Sequence, residues 1–177
     1  MAIVRAVAAK STRRDDRRIM TPPPDDPLTI RRATRRDEPF LVHVSRRLAE
    51  FDLPPWRTAE EIASADANTM LASVEAAQRG DEVMIAERDG VAVGCLHMVS
   101  VRDFFGRTHA HISVVATTRA AEGTGVGRAL MARAEAWSRE RGLSLVTLNV
   151  FAANVRARRV YERAGFAPEV LKYAKSL

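Results

Sequence analysis

From Leu28 onward the apolar positions switch between a period of two, the mark of a half-buried strand, and a period near 3.6, the mark of a helix. Leu28-Thr29-Ile30-Arg31 reads as a short first strand, and Thr34-x-x-Asp37 resembles a capping box with Asp in place of Glu, so a helix is expected next. Phe40, Val44, Leu48 and Phe51 recur at i, i+4, i+8 and i+11, which lays one apolar stripe against a sheet. Pro54-Pro55 interrupts the chain, and the Ala-rich run 58–79 predicts one or two further helices ended by Gly80. Residues 82–88 and 91–102 read as strands joined by Asp89-Gly90, the pair favoured in tight hairpins. Phe104-Phe105-Gly106-Arg107 turns the chain into a strand over 109–117. A helix over 126–141 carries Val126, Leu130, Ala134 and Trp137 on one side, a strand follows over 144–150, and a short helix over 155–164 leads to Gly165-Phe166 and a last strand near 170–175.

The chemistry enters between the third hairpin strand and the long helix. In Glu122-Gly123-Thr124-Gly125-Val126-Gly127-Arg128 alternate glycines run straight into helical spacing. Glycine lets backbone approach a ligand closely, and the first turn of a helix points unpaired N–H groups and a positive dipole end outward, so this is a site for phosphate or pyrophosphate. A P-loop is excluded because Gly127 is followed by Arg128 and Ala129 rather than Lys and Ser or Thr. A dinucleotide fingerprint is excluded because the glycines are spaced G-x-G-x-G, not G-x-G-x-x-G.

The run from Ile112 onward resembles the GNAT superfamily of acyl-CoA-dependent N-acetyltransferases. Its pyrophosphate motif matches Glu122 to Gly127, and its downstream element matches Leu148-Asn149-Val150-Phe151-Ala152-Ala153-Asn154 and Tyr161-Glu162-Arg163-Ala164-Gly165-Phe166. The resemblance implies an α/β fold: a mixed, mostly antiparallel twisted sheet with helices on both faces, splayed between the strands ending near Thr117 and Val150. It implies acetyl-CoA as co-substrate in that split. The pyrophosphate would lie on Glu122, Gly123, Thr124, Gly125, Val126, Gly127 and Arg128, and the pantetheine beside Val115, Ala116 and Thr117. Asn154 would bond the pantetheine arm, and Arg156, with Arg158 and Arg159, would meet the ribose phosphate. Tyr161 matches the general acid that protonates the leaving thiolate, and a backbone N–H near Val115 or Ala116 would hold the oxyanion. Glu122 departs from the pattern, which has Gln or Arg there, and is expected to turn to solvent. Val114 departs too, because it aligns with a carboxylate base that many members carry. That leaves His111, on the same strand but expected on the other face from Val114 and Ile112, as the candidate base, with Glu82 and Asp103 behind it. The reaction implied is direct acetyl transfer to a primary amine, borne by a small molecule or a peptide, through a ternary complex. The competing reading is a non-catalytic acyl-CoA sensor.

If the second hairpin centres near Phe104, His97 falls opposite His111, and His109 shares their face. No cysteine or carboxylate beside them has ligand spacing, so no metal is expected. Cys95 is alone, so no intramolecular disulfide can form and a reducing, cytoplasmic setting is expected; mid-strand it reads as a small buried hydrophobe.

Composition refines this picture at the edges. With 177 residues, 46% hydrophobic and 28% charged, the chain suits a single globular domain. The net charge of +6 is compatible with nucleic acid, an anionic cofactor or solubility alone, but no basic stretch is interleaved with aromatics as a single-strand nucleic-acid platform requires. Neither nucleic acid nor membrane is expected as a partner; a homodimer is compatible with the pattern. Residues 1–27, with Arg13-Arg14-Asp15-Asp16-Arg17-Arg18 and clustered prolines, cannot build a core and are expected to be a leader outside the domain at 28–177. Their aspartates weigh against an organellar presequence.

Overall fold

The structure, a computed structural model, describes residues 28–76 and 80–177. The expected leader and the end of the Ala-rich run at 77–79 lie outside the described residues. A five-stranded sheet in the order β1-β2-β3-β4-β5 organises the fold. It comprises β1 (Thr29–Arg32), β2 (Glu82–Arg88), β3 (Val91–Arg102), β4 (Thr108–Thr117) and β5 (Val146–Leu148). The first four pair antiparallel and β5 pairs parallel to β4. Helices α1 (Glu38–Ser45) and α2 (Ala59–Ala76) cover one face, α3 (Val126–Glu140) covers the other, and α4 (Val155–Arg163) follows β5.

Local chemistry sets these bounds. The Asp37 carboxylate accepts the Thr34 backbone N–H at 2.7 Å and, with the Arg31 guanidinium on both its oxygens, is held down to about 2. A second box, Thr58 with Glu61, starts α2: the Glu61 N–H donates to Thr58 Oγ1 at 3.1 Å and the Thr58 N–H to the Glu61 carboxylate at 2.8 Å. Asp89 and Gly90 take positive φ, 51° and 71°, which turns β2 into β3.

The two cores read off the strand alternation. Met84, Ala86, Leu96, Met98, Ala110 and Ile112 pack on Val126, Leu130, Ala134 and Trp137, the predicted stripe of α3. Val83, Ile85, Cys95, Val114 and Ala116 pack under Leu41, Val44 and Met70 of α1 and α2. Gly94 makes the α3 contact close, since a Cβ there would lie 3.0 Å from the Ala116 carbonyl oxygen and 3.1 Å from Leu130 and Val126. Cys95 is fully buried with its thiol pushed up to about 12 by desolvation, as a core residue.

Ile112 and Val114 are two residues apart yet lie in opposite cores, which a regular strand forbids. A β-bulge explains it. Ile112 opposes Met98 and Val114 opposes His97, leaving Ser113 as an extra residue in β4.

Three expectations need correction. The hairpin centres at Phe105, one residue beyond the predicted centre, so Val99 opposes His111 and Val101 opposes His109, while His97 opposes Val114. The histidines still share the α1/α2 face. Val114 joins His111 on that face instead of opposing it, because of the bulge. The last strand near 170–175 does not form: Val170, Leu171 and Tyr173 are exposed and residues 166–177 carry no regular structure. An extended segment without a ladder partner or a buried face is not held as a strand. No helix among the described residues is long and apolar enough to cross a membrane.

Candidate active site

The β4–β5 ladder is short. Ala110, His111 and Ile112 pair with Val146, Thr147 and Leu148, and beyond that rung the strands part while β4 continues to Thr117. The Thr118 N–H turns toward β3, to the Val93 carbonyl at 2.9 Å, so by alternation the N–H and C=O of Thr117 and Val115 point at the opened edge. Ala116 points its backbone groups back at β3, which it opposes at Cys95. Of the two oxyanion donors proposed from sequence, Val115 is therefore the one aimed into the split.

At the mouth of the split sits the glycine loop. Gly123 and Gly125 have φ of 73° and 88°, a conformation that L side chains resist. A Cβ at Gly123, Gly125 or Gly127 would meet no protein atom within 4 Å, so the space above the loop is open. The backbone N–H groups of Gly123, Gly125, Val126, Gly127 and Arg128 have no acceptor among the described residues, whereas Glu122 and Thr124 donate to Arg119 and Ala121. Converging donors at a helix N-terminus form a nest for an anion.

Glu122 does not face solvent as expected. Its side chain is 26% exposed and takes ion pairs from Arg47, in the 3-10 turn Arg46–Ala49 after α1, and from Arg156, in the first turn of α4. Arg128 is exposed beside the loop, and Arg119 is held by Glu50 at 2.9 Å.

His111 stands on the middle rung of the β4–β5 ladder, one before the last. Its Nδ1 lies 2.8 Å from Thr147 Oγ1, which in turn reaches the Ala110 carbonyl oxygen at 3.5 Å; Asn149 Nδ2 lies 3.5 Å from His111 Nε2. In the tautomer with the proton on Nδ1, the imidazole donates to Thr147 Oγ1 and presents the Nε2 lone pair on the side of Asn149. Burial and neighbouring His109 lower the pKa of His111, so its neutral form prevails at pH 7.

These groups lie in order along one path: nest, opened edge of β4, and the His111 imidazole. The acetyltransferase (GNAT) family description matches residues 44–166 of the chain. The chain belongs to that family. Mycothiol acetyltransferase of Propionibacterium freudenreichii subsp. shermanii is 38% identical over 86 residues, 48% of this chain but only 27% of that longer protein. A transcriptional regulator from Bacillus halodurans C-125 superposes with a TM-score of 0.63 at 28% identity, over 84% of this chain and all of the other. AAC(6')-Iy, solved with the bisubstrate analog CoA-S-monomethyl-acetylneamine, superposes at 0.62 over 85% of this chain and 99% of its own, but at 18% identity it supports the fold alone.

In this GNAT chain Tyr161 is half-buried on α4, its ring 6.1 Å from that of Phe166 and packed against the α3-side core, and burial raises its phenol pKa. That keeps the hydroxyl protonated, as a general acid requires. Asn154 Oδ1 caps α4 by accepting the Ala157 N–H at 3.0 Å, so only its amide group remains for a ligand. Arg158 donates to the Ala152 carbonyl at 3.1 Å. The reserve bases lie elsewhere. Glu82 holds Trp137 Nε1 at 2.9 Å on the α3 face, and Asp103 holds the Arg107 N–H at the hairpin tip.

One carboxylate escaped the sequence reading. Asp66 lies one helical turn before Met70, whose sulfur is 3.9 Å from Cys95 Sγ, and desolvation raises Asp66 to about 6. An acid within an Ala-rich helix gives no period that marks it as half-buried; only the packing of α2 does. Among the described residues no group of His, Cys, Asp and Glu is arranged to hold a metal ion.

Proposed function

We propose that the protein transfers an acetyl group from acetyl-CoA to a primary amine by direct transfer within a ternary complex. The observation that carries this is the nest of unpaired N–H groups of Gly123, Gly125, Val126, Gly127 and Arg128 at the mouth of a split in which β4 continues to Thr117 beyond its last rung with β5. Bound there, acetyl-CoA supplies an activated thioester. Its diphosphate fits the nest, and its pantetheine has the N–H and C=O of Val115 and the N–H of Thr117 to pair with as an added strand would, the Thr117 carbonyl already accepting from Arg47. The Val115 N–H is aimed where charge develops on the acyl oxygen. His111 Nε2, directly or through one water, takes the proton of the attacking ammonium, and Tyr161 delivers a proton to the sulfur as the thiol leaves. Arg156 and Asn154 complete the cofactor side.

The acceptor amine is left open by these residues, because its walls come from α1, α2 and their connections. Similarity to mycothiol acetyltransferase favours a small-molecule acceptor. A screen of an amine library with acetyl-CoA, following thiol release, should find turnover with at least one amine. The second reading, a non-catalytic acyl-CoA sensor, is favoured by the likeness to a transcriptional regulator. Tight acetyl-CoA binding without thiol release for any amine would establish that reading instead.

A further inference from the structure

Glu122 poses a physical problem. It places a carboxylate beside a nest built for a diphosphate, and like charges at that separation oppose binding unless the carboxylate is neutralised. The structure shows how it is neutralised. Arg47 is only 16% exposed; its guanidinium engages Glu122 and Glu50, and its Nε donates to the Thr117 carbonyl at 3.3 Å. Arg156 reaches the other Glu122 oxygen from α4 and is 72% exposed, with Glu122 its single ion-pair partner among the described residues. The two arginines come from opposite banks of the split, banks also joined by Phe51 and Phe151, whose ring centroids are 5.1 Å apart.

The two pairs differ in how easily they part. Arg47 is sheltered and held by three acceptors on three segments, so it stays. Arg156 is a long, exposed side chain with one ion partner, and such pairs are weak. A diphosphate offers more charge and more acceptor oxygens than a carboxylate, and a guanidinium pairs with it in two-bond geometry. We propose that Glu122 is an internal stand-in for a cofactor phosphate: it parks Arg156 at the nest in the empty enzyme and yields it to the diphosphate, while Arg47 stays to neutralise Glu122. Arg47, which no motif nominates, is thereby a positioning residue for acyl-CoA. The proposal rests on the acyl-CoA reading above.

Isothermal calorimetry of the full chain with coenzyme A tests it, using E122Q, R47A, R156A and the double variants E122Q/R47A and E122Q/R156A, each checked for folding by circular dichroism and melting. E122Q should bind coenzyme A about two- to tenfold more tightly than the parent, although it melts lower, because an exposed to half-buried pair no longer competes. R47A should weaken binding about tenfold in the parent, where it leaves Glu122 bare, and much less in E122Q. R156A should cost more in E122Q than in the parent, since there Arg156 no longer gives up an internal partner. The two couplings therefore have opposite signs. Folded E122Q that binds no better than the parent, or additive effects in either cycle, overturns the proposal. Failure of the parent itself to bind coenzyme A or acetyl-CoA is a different result and sinks the acyl-CoA reading.

Discussion

Replacing Gly127 with alanine separates what the loop does for stability from what it does for binding. Gly127 is the second residue of α3, does not need positive φ, and a Cβ there meets no protein atom within 4 Å. The empty protein therefore gains helix propensity at no steric cost, at most about 1 kcal/mol, or a rise of about 2–4 °C in melting temperature for a chain of this size. Cofactor binding should move the other way. The Cβ occupies the open space over the nest and pushes the anion off the N–H groups of Gly125 to Arg128; forfeiting one charge-assisted hydrogen bond, about 1.5–3 kcal/mol, weakens binding roughly 10- to 150-fold. G125A is the partner measurement. Its φ of 88° makes alanine strained, so it should lose binding and also melt lower. Calorimetric titration with acetyl-CoA and thermal melts of the empty proteins supply both quantities. A G127A protein that melts as high as the parent or higher and still binds acetyl-CoA at parental affinity would refute the placement of the diphosphate on this loop.

Tyr161→Phe keeps the ring against Phe166 and removes the hydroxyl alone, so turnover with the acceptor found by the amine screen should drop about 10²- to 10⁴-fold with coenzyme A affinity nearly unchanged; parental turnover would make Tyr161 structural. Asp66, raised to about 6, gives a stability that is fullest below its ordinary range near 4 and is lost as pH rises through 6, because the folded state penalises its charge. D66N should therefore melt level with the parent at pH 4 and higher at pH 7.5, by an amount worth about 1 kcal/mol once the solvent access of the carboxyl is allowed for; a gap of equal size at both values refutes the desolvation. H111A should lower turnover at constant acetyl-CoA affinity, and an acidic limb of the parental pH profile lying below the ordinary histidine value should vanish with it; an unchanged limb in H111A that disappears in D66N would transfer the base role to Asp66.

Much of the frame was legible because its signals are local. The strands 82–88 and 91–102 appear with the predicted bounds, since period-two apolar runs and an Asp-Gly turn lie within a few residues of one another. The α3 stripe was legible for the same reason, and so was the turn of the glycine loop, whose positive φ angles depend on backbone and therefore on residue type alone. What was not legible depends on packing between distant segments. The Arg47 and Arg156 pairs to Glu122 join residues far apart in sequence, so a lone anionic side chain at the loop read as a mismatch when it is a junction. Asp66 gains its character from the partial burial that packing of α2 imposes, and Asn154 from where α4 begins. The tail at 166–177 has the residue types of a strand but no edge beside it, and composition cannot supply the partner.

The bulge at Ser113 bears on the proposed base more than any side chain does. In an unbroken strand, residues 111 and 114 face opposite sides of the sheet, and an imidazole at 111 could not serve a face that lacks its carboxylate at 114. The extra residue returns Val114 to the face that His111 already occupies, two ladder rungs away, a separation of about 7 Å along the strand. That span exceeds one hydrogen bond and suits one bridging water, so the geometry favours proton removal through water over direct contact. His111 is contacted from the β5 side, by Thr147 Oγ1 at 2.8 Å and by Asn149 Nδ2 at 3.5 Å. Val114 itself is buried in the apolar cluster under α1 and Met70, while burial, with His109 beside it, lowers the pKa of His111 and favours the neutral imidazole that a base requires.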